Sequence, residues 1–151
     1  MTIKTILVAV DGSKQAAKAT EIAADLARCC GAKLLILHVV ASVHGGSERD
    51  ALNNLTRIEH MERTEYEMLQ QLGVPVIRSA ELSARQQDVA DVEALVEIGD
   101  PASVIVAISQ GRRADLVVVG RLGRGTLAGL LLGSVSNKVV QLAGVPCLVV
   151  S

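Results

Sequence analysis

The sequence predicts an open parallel α/β sheet with helices on both faces, in a single domain. Three observations lead there. Short runs of Val, Leu and Ile alternate with amphipathic stretches of helical period, β then α, five times over with the last helix missing. Half of the 151 residues are hydrophobic, yet there is no Trp, no Phe and one Tyr. The core must then be aliphatic, which suits strands buried on both faces. Finally, a glycine-rich stretch follows the fourth apolar run, where open sheets of this kind bind ligands, outside the carboxyl ends of their strands.

Each element has its own signal. Residues 3–10 (IKTILVAV) read as a buried strand, broken by Asp11-Gly12-Ser13. Ser13 is a good N-cap for a helix over residues 14–30, whose stripe is Ala19, Ile22, Ala23, Leu26, Ala27 and Cys30, and Gly31 ends it. Residues 33–41 (KLLILHVVA) form a second strand, and the polar, glycine-containing residues 42–50 a loop. Residues 52–72 read as a helix with a stripe at Leu55, Ile58, Met61, Leu69 and Leu72, closed by Gly73 and Pro75. Residues 76–91 carry no clear period: a short helix or an excursion over one edge. Residues 92–98 alternate in part, as a strand near an edge does. Asp100 as N-cap and Pro101 as first helical residue start the next helix, which buries Val104, Ile105 and Ile108. Residues 115–119 are the fourth strand. Residues 134–143 are the last helix, with Val135, Val139, Leu142 and Ala143 on one side, and residues 147–150 the fifth strand.

Composition excludes several classes. A formal net charge of -1 gives no bulk attraction to nucleic acid or an anionic membrane. No apolar run approaches a membrane span, and the amino terminus enters a strand without signal-peptide architecture. Three cysteines without metal-ligand spacing suggest reduced thiols in a cytoplasmic protein. The adjacent Cys29 and Cys30 read as small hydrophobic filler rather than as a redox handle. No Asp or Glu follows Asp115, while Arg121, Arg124 and Lys138 do, so the last third is cationic.

The chemistry concentrates in residues 115–136. Gly120, Gly123 and Gly133 remove Cβ atoms where backbone turns or approaches a ligand, and Ser134 and Ser136 offer hydroxyls and early-helix N–H groups to an anion. Single glycines and serines need be no more than turns and caps. Three glycines plus a hydroxyl at fixed spacing arise by chance roughly once in a hundred such chains at average usage. There is no GxxxxGK[ST], and the GxGxxG spacing is missed by one residue after the wrong strand.

The spacing Gly120-x2-Gly123-x9-Gly133-Ser134 resembles the nucleotide motif of the ATP-binding branch of the universal stress protein family. ILVAVDGS (6–13), LHVV (37–40), IGDPASVIV (98–106) and residues 130–150 extend the resemblance, and only residues 42–91 lack family motifs. It implies a Rossmann-like fold of the adenine nucleotide α-hydrolase type, five strands in the order 3-2-1-4-5, and an adenine nucleotide (ATP, or AMP or ADP) with Mg²⁺ as ligand. Ala9, Val10 and Asp11 match first-strand positions near adenine and ribose, and Val39 a position beside the base. Val119, Gly120 and Gly123 match the strand end and loop cradling ribose and phosphates. Gly133, Ser134, Val135 and Ser136 match the phosphate-binding helix start. No catalytic residue and no protein metal ligand is assigned.

Residue by residue, Asp11 is read as a ligand contact over a plain helix cap. Arg121 and Arg124 either clamp phosphates or face solvent. Lys138 reads as a surface charge and His38 as a satisfied core histidine; His44 and His60 have no recognisable partner. No nucleophile, triad or general base is positioned, so ATP binding with at most slow hydrolysis is expected. The alternatives are a weak ATPase or nucleotide-processing enzyme of the same superfold, and an interaction module without ligand. A nucleotidyltransferase would need SGGxDS where this chain has DGSK, and a phospho-receiver an acidic pair after the first strand. An apolar fifth strand at the sheet edge predicts a homodimer built on it, as the resemblance also implies.

Overall fold

A computed structural model describes residues 2–41, 63–124 and 131–151. The expected loop over residues 42–50, most of the helix stripe before residue 63, His44 and His60 lie outside the described residues. The described elements are β1 (Thr5–Val10), α1 (Lys14–Cys30), β2 (Lys33–Ala41), α2 (Arg63–Arg85), β3 (Val92–Gly99), α3 (Pro101–Gly111), β4 (Leu116–Gly120), α4 (Ser134–Leu142) and β5 (Cys147–Val150). The strands form one sheet of order β3-β2-β1-β4-β5, parallel throughout, with Ile6 opposite both Leu34 and Leu116. Chain direction reverses its progress across the sheet between β1 and β4, which opens a crevice at the carboxyl ends of these strands.

Strand alternation divides the core in two. Ile6, Val8, Leu34, Ile36 and Val118 face α1 and α2. Leu7, Leu35, Leu37, Val117 and Val119 face α3 and α4. Asp115 ties the strand starts together: its carboxylate accepts from the N–H of Lys4 at 2.8 Å and of Thr5 at 3.0 Å.

The helix caps follow the local chemistry. Ser13 Oγ accepts from Ala16 N at 3.1 Å, and Gly31 closes α1 in the left-handed region at φ 62°. Asp100 Oδ2 accepts from Ser103 N at 3.0 Å and from the Ser103 hydroxyl at 2.7 Å, with Pro101 behind it. The buried face of α1 is narrower than its apolar pattern: Ala16, Ala19, Thr20, Ala23, Ala24 and Ala27 pack on the sheet. Ile22 and Leu26 are half-buried and Cys30 is exposed, because small residues bring the helix axis close and push the larger ones to its flanks. Leu142 likewise misses the core, 57% exposed on α4.

The main correction concerns α2. It continues through Gly73 and Pro75 to Arg85, so the residues expected to end a helix lie inside one. Gly73 is there for proximity. A Cβ on it would sit 2.6 Å from Val96 Cγ1 and 2.8 Å from His38 Cδ2, so its absence lets α2 lie directly on β2 and β3. Beyond Pro75 the buried stripe is thin, Ile77 and Ala84 with Ala80 half-buried, which is why residues 76–85 show so little period. Leu72, expected in the core, is 68% exposed.

Candidate functional site

A cleft of about 430 Å³ opens at the carboxyl ends of β1, β2 and β4. Its floor is Ala9 and Val10 from β1, the end of β2 around Val39, and Val119 and Gly120 from β4. Pro101 and Ile105 of α3, Val135 of α4 and Leu72 of α2 add apolar wall. Asp11, Gly123, Arg124 and Ser134 give it a polar end. Every residue expected at the nucleotide site lines this cleft except Arg121.

Arg121 is occupied elsewhere. Its N–H donates to Val150 O at 2.6 Å, prolonging the β4–β5 pairing, and its guanidinium Nη1 donates to Leu131 O at 3.2 Å. Its carbonyl accepts from Gly133 N at 2.8 Å and is 2.9 Å from the Ser136 hydroxyl. Arg121 therefore joins the two ends of the glycine-rich loop. The Ser136 hydroxyl, also 3.0 Å from Gly133 O, is buried and serves this same closure.

The loop is held from three sides. Gln15 Oε1 accepts from Leu122 N at 2.6 Å. Asp11 Oδ2 accepts from Arg124 N at 2.8 Å, while its Oδ1 accepts from Ser13 N at 2.9 Å. Ser136 holds the far end. Each glycine has a packing reason: a Cβ on Gly120 would be 3.3 Å from Gln15 backbone, one on Gly133 would be 3.2 Å from Arg121 O, and one on Gly123 would be 2.6 Å from Asp11 Oδ2.

Asp11 is the charged residue at the centre. Burial pushes its carboxyl up, but hydrogen bonds from Ser13 and Arg124, with the Arg124 charge, outweigh that and hold it below the ordinary aspartate range. A depressed folded-state pKa means the clamp on Arg124 N is fully present above the unfolded aspartate value, about 3.9. It is lost only as pH falls through the lower folded value. Carboxyl NMR titration should show Asp11 ionised throughout pH 5–8; a midpoint above that of free aspartate would contradict the clamp.

Gly133 caps α4 without a side-chain bond, and Ser134 and Val135 of the first turn line the cleft. The sequence reading missed Gln15, Leu72 and the lining by Ile105 and His38. His38 Nδ1 lies 2.7 Å from Val10 O, the satisfied partner expected of it. Gln15 carries one legible signal, a long polar side chain in the first turn after the rim loop. Gln15→Ala should weaken any ligand that needs the ordered loop by about tenfold, since a partly buried N–H loses its acceptor; unchanged affinity by calorimetry would mean the loop orders without it. Among the described residues no group of three or more His, Cys, Asp or Glu side chains could hold a metal ion, and no helix is long and apolar enough to cross a membrane.

Fold and cleft together define an α/β domain with its ligand crevice at the switch point between β1 and β4. The universal stress protein family model matches residues 2–151. A universal stress protein of Thermus aquaticus, encoded in the 3' region of QAH/OAS sulfhydrylase, is 36% identical, the match covering 97% of this chain and 98% of that one. The universal stress protein YxiE of Bacillus subtilis is 34% identical over 96% and 97%. A solved universal stress protein in complex with cAMP superposes with a TM-score of 0.70 at 26% identity, over 100% of this chain and 98% of that one. The chain belongs to the universal stress protein family.

Proposed function

We propose that this chain binds an adenine nucleotide, ATP in the first instance, in the cleft between β1 and β4, as a regulatory module with at most slow hydrolysis. The observation that carries the reading is the pairing, within one cleft, of an apolar slot and a helix start without a side-chain cap. A purine suits the slot formed by Val39, Ile105 and Pro101. Phosphates suit the first turn of α4, where free N–H groups and the helix dipole favour an anion. Asp11 reaches the space between, where a ribose hydroxyl would donate to it. The relative solved with cAMP supports the same class of ligand.

Mg²⁺ would enter with the phosphates, which it binds in such sites together with one or two carboxylates and water; Asp11 is the carboxylate in reach. Bound magnesium would neutralise phosphate charge. Asp11 is a poor general base, because both its oxygens already accept N–H bonds and its pKa is depressed. Slow turnover follows from that.

The deciding experiment is denaturing release and mass analysis of nucleotide carried through purification, followed by calorimetric titration with ATP and Mg²⁺. Micromolar binding of ATP, with phosphate release slower than about one per minute, is expected. No binding at millimolar ATP would end the proposal. β5, Cys147–Val150, is an apolar strand at the sheet edge. A homodimer along β5 would pair that edge, and light scattering showing a monomer at micromolar concentration would exclude it.

A further inference from the structure

We propose that a second cavity, between α1 and α2, binds a small aliphatic carboxylate, with the anion on Arg124 and the alkyl chain between the two helices. The cavity measures about 300 Å³, at the lower end of the range for small-ligand pockets. Ala16, Ala17 and Thr20 of α1 line one side, and Val76, Ser79 and Ala80 of α2 the other. Short side chains on both helices leave a gap that longer ones would close.

Charge decides the sign of the ligand. Among the described residues no Asp or Glu lines this cavity, and Arg124 is its one charged group. The backbone and side chain of Arg124 serve different places. Its N–H donates to Asp11 Oδ2 at 2.8 Å. Its guanidinium lies over Gly12, where a Cβ would be 3.0 Å from Nη2 and 3.4 Å from Cζ, with Val76 Cγ2 at 3.3 Å. Gly12 and Val76 line the second cavity and not the cleft between β1 and β4. Arg124 forms no ion pair among the described residues. Asp11 attracts it only at longer range, because both Asp11 oxygens already accept N–H groups. A guanidinium placed in this way offers a planar fork that a carboxylate fills with two parallel hydrogen bonds.

The rest of the lining decides what the anion carries. Ser13 Oγ accepts from Ala16 N at 3.1 Å and keeps its own proton to donate. Thr20 gives its proton to Ala16 O at 2.9 Å, so it adds no free donor. Ala16, Ala17, Val76 and Ala80 are apolar and suit a short alkyl chain. A bare inorganic anion would leave that wall unused, and a neutral hydrocarbon would leave the guanidinium unpaired. Each methylene buried against the wall improves affinity about fourfold. The site does not rest on the nucleotide reading, since the residues specific to it lie outside the cleft.

The test is an NMR titration of the full-length chain, stripped of nucleotide, with hexanoate. Binding of millimolar order or tighter is expected, with nuclear Overhauser contacts from the hexanoate chain to the methyl groups of Val76 and Ala80. Butyrate, two methylenes shorter, should bind about tenfold more weakly. Hexanamide, which keeps the chain and lacks the charge, should also lose at least tenfold. Arg124→Gln should lose as much for hexanoate, while retaining the backbone N–H that Asp11 holds. The proposal is overturned if millimolar hexanoate shifts no resonance, or if butyrate, hexanamide or inorganic phosphate binds as tightly as hexanoate. It is equally overturned if Arg124→Gln binds hexanoate like wild type, or if the chain contacts Val39 and Ile105 of the cleft instead.

Discussion

Gly123→Val is expected to abolish nucleotide binding, by 100-fold or more, while lowering Tm by roughly 3–12 °C without loss of the fold. The backbone at residue 123 is outside the left-handed region, so the objection to a side chain there is steric. Its Cβ would meet Asp11 Oδ2 at 2.6 Å. Either the carboxylate leaves or the loop does, and both moves break the 2.8 Å bond from Arg124 N. A hydrogen bond to a charged group is worth about 1.5–3 kcal/mol, which already removes about tenfold or more of affinity if the ordered loop is the binding form. The two methyls of valine then project into the cleft and exclude the ribose. Isothermal calorimetry with ATP and Mg²⁺ reads the affinity, and a thermal melt reads the fold; unchanged affinity would sink the assignment of this loop. A double-mutant cycle separates the two causes. If Gly123→Ala acts through Asp11, then combining it with Asp11→Ala should cost no more than the worse single change. Additive losses would mean that the glycine serves the ligand directly.

That cycle also bears on how much of the site was readable. The spacing Gly120, Gly123, Gly133 marks the right loop, because close backbone approaches leave glycines in the sequence. It does not say what each glycine approaches. Gly120 makes room for α1 at Gln15, Gly133 for Arg121 O, and Gly123 for the Asp11 carboxylate. The contact of Gln15 with Leu122 N and the diversion of Arg121 to Leu131 were illegible for the same reason: each depends on a contact between segments more than a helix apart in the chain or across a loop closure. Strands β1, β2 and β4 and the caps Ser13 and Asp100 were legible because their signals are local. The exposed cysteines were misread because period assigns Cys30 to the buried stripe, while alanine packing draws that stripe toward residues 16, 20, 24 and 27.

The Gly73-x-Pro75 pair gives the second large effect and tests the helix directly. As a helix terminator in the left-handed region, Gly73 would lose about 1–2 kcal/mol on substitution and Pro75 would be neutral or useful. Inside a continuous α2 the two residues have opposite signs. Gly73→Val gains the better helix propensity of a non-glycine, under 1 kcal/mol. Against that it drives a Cβ to 2.6 Å from Val96 Cγ1 and 2.8 Å from the His38 ring, with Val40 Cγ2 at 3.3 Å. Overpacking typically costs about 1–3 kcal/mol, and a β-branched residue pressed onto two strands belongs at the upper end. A net loss of about 3 kcal/mol lowers Tm by roughly 6–12 °C in a chain of this size. Pro75→Ala should do the reverse. It supplies the N–H that the carbonyl four residues earlier lacks and removes the ring clash, a difference of about 3 kcal/mol in a helix interior. Some of that is already offset by adaptation around Pro75, so a gain of about 1 kcal/mol is expected. Urea denaturation of the two variants reads both signs. A gain for Pro75→Ala with a loss near 3 kcal/mol for Gly73→Val requires an unbroken helix over the sheet, and no gain for Pro75→Ala would end α2 before residue 75.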